Sequence, residues 1–129
     1  MKAQEIICIQ CPLGCRGNVM TGGMGEAVTA EGHRCKEGKK YAQAEVAHPV
    51  RILTATVIAE GGTDRLLPVR TDRVIPKDKL RACMKALAEV RVRPPVRAGQ
   101  VIVCNLANTG ANIVATTALR ACHRPEYYP

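Results

Sequence analysis

The stretch Cys8-Ile9-Gln10-Cys11-Pro12-Leu13-Gly14-Cys15 puts three thiols within eight residues, and a fourth, Cys35, follows after nineteen more. Gln10, Pro12 and Gly14 between them do not make a buried element, so these thiols do not read as small core hydrophobes. Three soft ligands from one tight loop and a fourth from further along is how a chain wraps a compact iron–sulfur cluster. Gly14 and Gly17 are expected to supply the unusual backbone angles of such a wrap, and Pro12 to stiffen it. Cys35 stands just ahead of a helix-forming run, so the positive end of that helix would face its sulfur.

Three chemistries compete for the spacing Cys8-x2-Cys11-x3-Cys15-x19-Cys35. A [4Fe–4S] cluster suits three close ligands and one remote. Structural zinc more often uses two separated C-x2-C knuckles; the second is missing here, and only His33 stands near Cys35, at the wrong spacing. A redox dithiol built on Cys8 and Cys11 would leave Cys15 and Cys35 without a role. The candidate ligands are therefore Cys8, Cys11, Cys15 and Cys35, with a [4Fe–4S] cluster the first reading and zinc the alternative. Cys83 and Cys104, each in an apolar run, read as small buried hydrophobes, and Cys122 as a spectator.

Working outward, the module around these cysteines is expected to hold a loop, a hairpin and a helix. Glu5 to Ile9 reads as a strand entering the loop, Asn18 to Met20 as a second strand, and Glu26 to Glu31 as its hairpin partner across the turn at Thr21 to Gly25. Glu37 to Ala47 is rich in helix formers, and His48-Pro49 stops it. This predicts a boundary, with residues 1–49 as the cysteine module and 50–129 as a β-rich body. Arg51 to Glu60 and Arg65 to Thr71 read as strands, with Pro68 implying an edge position or a bulge. Pro76 to Val90 predicts an amphipathic helix with Leu80, Cys83, Met84, Leu87 and Val90 on one face. Arg91 to Pro95 reads as an extended link, Gln100 to Leu106 and Asn112 to Thr117 as strands, and Arg120 to Pro129 as a loose tail. The fold class is α+β.

Composition limits the rest. The 129 residues contain no Trp or Phe and only three Tyr. The core of the body must therefore be aliphatic, and no aromatic platform exists on which bases could stack. The net charge of +8 is lopsided: residues 1–64 hold seven Lys/Arg and seven acids, residues 65–129 twelve and four. A basic half suits solubility, an acidic partner or nucleic acid. Arg91-Val92-Arg93-Pro94-Pro95-Val96-Arg97 is its densest run, yet no second helix makes a helix-turn-helix. A zinc-stabilised nucleic-acid-binding or structural accessory protein is thus the alternative reading. No apolar run approaches a membrane span. The first residues carry an acid and lack a long apolar stretch, so a secretory signal is not expected. The expected location is the cytoplasm, where thiols stay reduced. No catalytic constellation stands out; His33, His48 and His123 have no evident nucleophile partner.

Residues 5–53 resemble the N-terminal [4Fe–4S] domain of molybdopterin oxidoreductases, through the cysteine loop, Cys35-Lys36-Glu37-Gly38 and His48-Pro49-Val50-Arg51. That family commonly places Lys two residues after its fourth cysteine, where Glu37 stands here. The chain is also too short for domains enclosing molybdenum, so the resemblance implies the four cluster ligands alone. Over its whole length the chain is similar to a small bacterial cysteine-motif family of unknown function. Its members are encoded beside flavin-dependent dehydrogenases of the anaerobic glycerol-3-phosphate type and a pyridine-nucleotide flavoprotein. The matching stretches are the cysteine loop, His48 to Thr54, Pro95 to Gly99 and Val101 to Thr116. This resemblance implies an iron–sulfur electron-transfer subunit passing single electrons between such a flavin-dependent dehydrogenase and another redox partner. It does not imply a membrane span, and nucleic acid is not expected as a partner.

Overall fold

The structure, a computed structural model, describes residues 1–122. The chain divides into two compact units, Met1–Val50 and Arg51–Pro129. In chain order the elements are β1 (Lys2–Ile7), β2 (Arg16–Thr21), β3 (Ala27–Glu31), α1 (Lys36–Ala47), β4 (Val50–Arg51), β5 (Thr54–Ala59), β6 (Leu66–Thr71), β7 (Ile75–Pro76), α2 (Leu80–Ala88), β8 (Arg91–Val92), β9 (Val101–Val103) and β10 (Ile113–Ala115). This is an α+β architecture. Among the described residues no helix is long and apolar enough to cross a membrane.

In the first unit β1, β2 and β3 form an antiparallel sheet in that order. β1 begins at Lys2, earlier than the apolar run at Glu5 to Ile9 suggests. The polar residues Lys2 and Gln4 are held by their ladder to Thr21 and Val19 rather than by burial. α1 packs on this sheet and buries Gly38 and Ala42. The shared apolar cluster is small: Ile6, Val19 and Ala42 are buried, with Tyr41, Val46, Ala27 and Ala30 packed against them. Tyr41 is the lone aromatic side chain there.

The second unit is built on a five-stranded sheet ordered β8-β5-β6-β10-β9. It is antiparallel except for the β5–β8 pair. Inward residues alternate along β5 (Val57, Ala59) and β6 (Leu67, Val69, Thr71), and α2 adds Cys83 and Leu87 to the same core. Thr71 is fully buried, and its Oγ1 accepts the Leu53 N–H at 3.0 Å.

Several sequence expectations for this unit are corrected. Pro68 lies in the central strand of the sheet, not at an edge. In an antiparallel strand the N–H and C=O of one residue point to the same side. The Pro68 carbonyl accepts from the Thr116 N–H at 3.0 Å, so its missing N–H also falls on the β10 side. The β6–β10 ladder ends there, at Val69↔Ala115, so the missing donor costs no ladder bond to β5. The helix predicted from Pro76 is shorter: Pro76 closes β7, Lys77–Lys79 form a 3-10 turn, and α2 runs only to Ala88; within it Cys83 and Leu87 are buried, whereas Met84, expected on the same face, is exposed. β9 stops at Val103, because Asn105, Ala107 and Asn108 all take left-handed angles. Cys104, just before them, is consequently exposed rather than buried. The start of the expected tail is tied down: Gly62 bridges Ala121, and the Cys122 N–H donates to Gly61 at 3.0 Å. The remainder of that tail, residues 123–129 with His123, lies outside the described residues.

Candidate thiolate site

The cysteine loop is the turn of the β1–β2 hairpin. The register Ile6↔Gly17, Ile7↔Arg16 brings Cys8 opposite Cys15, and the Cys8 N–H donates to the Cys15 carbonyl at 2.9 Å. Cys8 is buried, Cys15 half-buried and Cys11 exposed at the far side of the loop. Gly14 has a φ of 60°, the left-handed angle expected of it. Gly17 does not; it is a glycine because a Cβ there would collide with the Glu31 carbonyl and the His33 ring.

Cys35 is the N-cap of α1. Its Sγ accepts the Gly38 N–H at 3.3 Å, and its carbonyl takes the Lys39 N–H at 3.2 Å. A sulfur in this position meets the positive end of the helix. Gly38 is buried on the inner face of α1, and the position its Cβ would occupy is 3.4 Å from Cys8 Sγ and 3.6 Å from Cys35 Sγ. The fold therefore brings Cys8 and Cys35 together around one glycine, although they are far apart in sequence. It does not draw Cys11 and Cys15 in with them. Among the described residues no three His, Cys, Asp or Glu side chains lie close enough to hold a metal ion. By chemistry the set still fits a thiolate-bound centre: four soft sulfurs, a backbone N–H already aimed at one of them, and no side chain on Gly38 between two of them.

The surroundings are cationic on one side. Glu37 pairs with Lys40 at 3.3 Å, and Arg34, Lys36 and Lys39 are exposed beside Cys35 with no acid partner among the described residues. His33 is 6% exposed; its Nε2 lies 3.3 Å from the Ile6 carbonyl oxygen, and its Nδ1 is buried with no hydrogen-bond partner among the described residues. His48 is the C-cap of α1, its backbone N–H donating to Ala44 at 2.8 Å. A 470 Å³ hollow lined by Met24, Glu26, Gln43, Ala47 and His48 lies between the β2–β3 turn and the end of α1, and no cysteine lines it.

Sequence reading gave Gly17 a backbone angle, weighed His33 only as a stand-in zinc ligand and met Gly38 only in the resemblance; the close approaches that each makes in the fold were not read. Gly38 carried a usable signal: three residues after an N-cap is where the cap side chain finds its backbone donor. The pairing of Gly17 with His33 carried none, since it arises from where the chain crosses the hairpin. Of the remaining cysteines, Cys83 is buried on α2, and burial pushes its thiol pKa up against the opposing charge of Lys79. It stays a protonated, inert thiol. Cys104 and Cys122 are exposed.

The fold is similar to that of Clostridium perfringens protein CPE0013, solved by NMR, with a TM-score of 0.51 at 23% identity over 60% of this chain and 93% of that one. No curated protein matches the chain. The segment from Lys36, immediately after the fourth cysteine, to Thr117 matches the family described as "Protein of unknown function (DUF1667)". That segment is more than half of the chain, and the protein belongs to this family.

Proposed function

We propose that the protein is an electron-transfer subunit that holds a [4Fe–4S] cluster through Cys8, Cys11, Cys15 and Cys35 and exchanges single electrons with a flavin-dependent dehydrogenase. The observation that carries this reading is the convergence of Cys8 and Cys35 on Gly38, with Cys35 capping α1. A bound cluster would supply a one-electron store. The chain's own residues would do the rest. The Gly38 N–H donates toward sulfur, and the α1 terminus offsets negative charge on the thiolates. The exposed cations Arg34, Lys36 and Lys39 present positive charge beside the site, where an acidic partner surface would be steered in. The resemblance to cluster domains of molybdopterin oxidoreductases, and to a family encoded beside anaerobic glycerol-3-phosphate dehydrogenase-type flavoproteins, supports the same choice of cofactor and partner. The cytoplasm is the compartment that suits free thiols.

In the basic run that motivates the nucleic-acid alternative, Arg91 and Arg93 lie 3.8 and 3.7 Å from the one carboxylate of Glu60, which offsets a single charge of that run. Protein purified without oxygen is the decisive sample. About four irons and four sulfides per chain with broad visible absorption supports the proposal. One zinc and no colour would sink it. Serine at Cys8, Cys11, Cys15 or Cys35 is expected to lose iron, whereas serine at Cys83, Cys104 or Cys122 is not. Loss of iron from Cys104→Ser would show the ligand set to be wrong.

A further inference from the structure

We propose that His33 is the positioning residue of the thiolate site, registering the Cys35 arm against the Cys8–Cys15 loop. The inference rests on reading the four cysteines as one metal-binding set. The ring is 6% exposed, and a carbonyl oxygen can only accept, so the 3.3 Å contact from Nε2 to the Ile6 carbonyl makes Nε2 the protonated nitrogen. Nδ1 is buried with no hydrogen-bond partner among the described residues. An apolar side chain would fill the same space without leaving a buried nitrogen unpaired. What the imidazole adds over such a residue is its one hydrogen bond.

That bond adds a side-chain tie close to the ligands between two segments that the sheet already holds in register, β1 through Ile6↔Gly17 and β3 through Asn18↔Glu31. Ile6 stands two residues before Cys8, and His33 two residues before Cys35. The ring occupies the space where a Gly17 side chain would be, at the base of the cysteine loop. Gly32, at φ 91°, lets the chain pass with its Cβ position only 2.8 Å from the Arg16 carbonyl oxygen and the Gly17 Cα. The His33 Cβ lies 3.5 Å from the same Gly38 position that both Cys8 Sγ and Cys35 Sγ approach. His33 therefore sits between the two ligand arms and is bonded to one of them. Partners beyond the ligands that fix ligand geometry typically alter metal affinity by about 10–100-fold when removed.

Two substitutions separate positioning from mere packing. His33→Leu keeps the volume and removes the hydrogen bond; His33→Gln places an amide nitrogen where Nε2 was. In full-length Cys11→Ser/Cys15→Ser/Cys104→Ser/Cys122→Ser protein without metal, which removes the other exposed thiols, the oxidant diamide takes two electrons and two protons from Cys8 and Cys35. The product is a disulfide, with diamide reduced to its hydrazine. His33→Leu is expected to slow this linkage on the order of tenfold, and His33→Gln to stay within about twofold of the parent. In cluster-loaded protein with all four cysteines, iron loss to a chelator should be about 10–100-fold faster for His33→Leu and restored by His33→Gln. Amide spectra identify any variant that has lost its fold, and His33→Gln then carries the test. A folded His33→Leu protein with parental rates in both assays overturns the proposal, as does a Gln variant no better than Leu. If the parent takes up no iron but the disulfide result holds, the cluster reading fails and the positioning role stands.

Discussion

Residues 1–50 and residues 51–122 both order a chain without Phe or Trp, and they do it with unequal means. The second unit gathers fifteen buried side chains into one aliphatic cluster that spans its sheet and α2. The first gathers three, Ile6, Val19 and Ala42. Fifty residues with so little buried apolar surface sit at the size where natural domains recruit metals or disulfides. The difference teaches that the first unit lacks a core of the kind the second has: of its four cysteines only Cys8 is buried, whereas Cys83 in the second is part of a core.

The largest effect that can break this comparison is metal removal. If the thiolates of the first unit do hold a centre, ligation brings binding free energy on the order of 10 kcal/mol to a module of this kind. Chelation is then expected to strip hydrogen-exchange protection from residues 1–50 and leave residues 51–122 as they were. Equal protection in residues 1–50 with and without metal would mean that the small cluster around Val19 suffices. The reverse test falls on the other unit. Leu67 is 1% exposed at the centre of its sheet, and Leu67→Ala should cost about 2–5 kcal/mol in urea unfolding of the body. Protection in the first unit should not respond.

How much of this contrast could be read beforehand depends on whether the cause was local. Helix α1 follows from a local run of helix formers and a local stop at His48-Pro49. The spacing of Cys8, Cys11, Cys15 and Cys35 is equally local. It does not reveal that Cys35 caps α1, or that its sulfur shares Gly38 with that of Cys8, because that depends on how α1 lies across the hairpin. Pro68 reads as an edge residue only when its neighbours are unknown; strand order decides which neighbour its missing N–H faces. Cys104 belongs to an apolar run by sequence, yet the left-handed turn at Asn105 ends the strand beneath it. Gly17 suggests a backbone angle, whereas its reason is the His33 ring arriving from another part of the chain.

A smaller effect sharpens the picture of the body as self-sufficient. Thr71 is the buried polar residue among its aliphatic neighbours, and its hydroxyl serves the Leu53 N–H at 3.0 Å. Thr71→Val keeps the shape and leaves that donor unpaired, a change worth about 1–3 kcal/mol. Unfolding midpoints of the two proteins give the number directly. A neutral result would mean that Leu53 finds another acceptor.

The smallest effect is electrostatic, and it separates the body from the module by pH. The Asp72 carboxylate accepts the Asn112 backbone N–H at 2.9 Å and the Asn112 side-chain amide at 3.1 Å, and Arg73 lies 3.5 Å away. These contacts, the backbone N–H foremost and partial desolvation opposing, hold its pKa below the ordinary 3.8. A carboxyl with a depressed folded pKa binds fewer protons in the folded chain than in the unfolded one. Its contribution is complete above the unfolded value of about 3.9 and drains away as pH falls through the folded value. The clamp joins the end of β6 to the start of β10, so the loss belongs to the second unit. Urea midpoints of the body should therefore fall more steeply below about pH 4 in the parent than in Asp72→Asn, whose amide keeps an acceptor but cannot ionise. Above that pH the two curves should run parallel. A gap between them that stays constant from pH 6 to about pH 2.5 would mean that Asp72 contributes its hydrogen bonds and no charge.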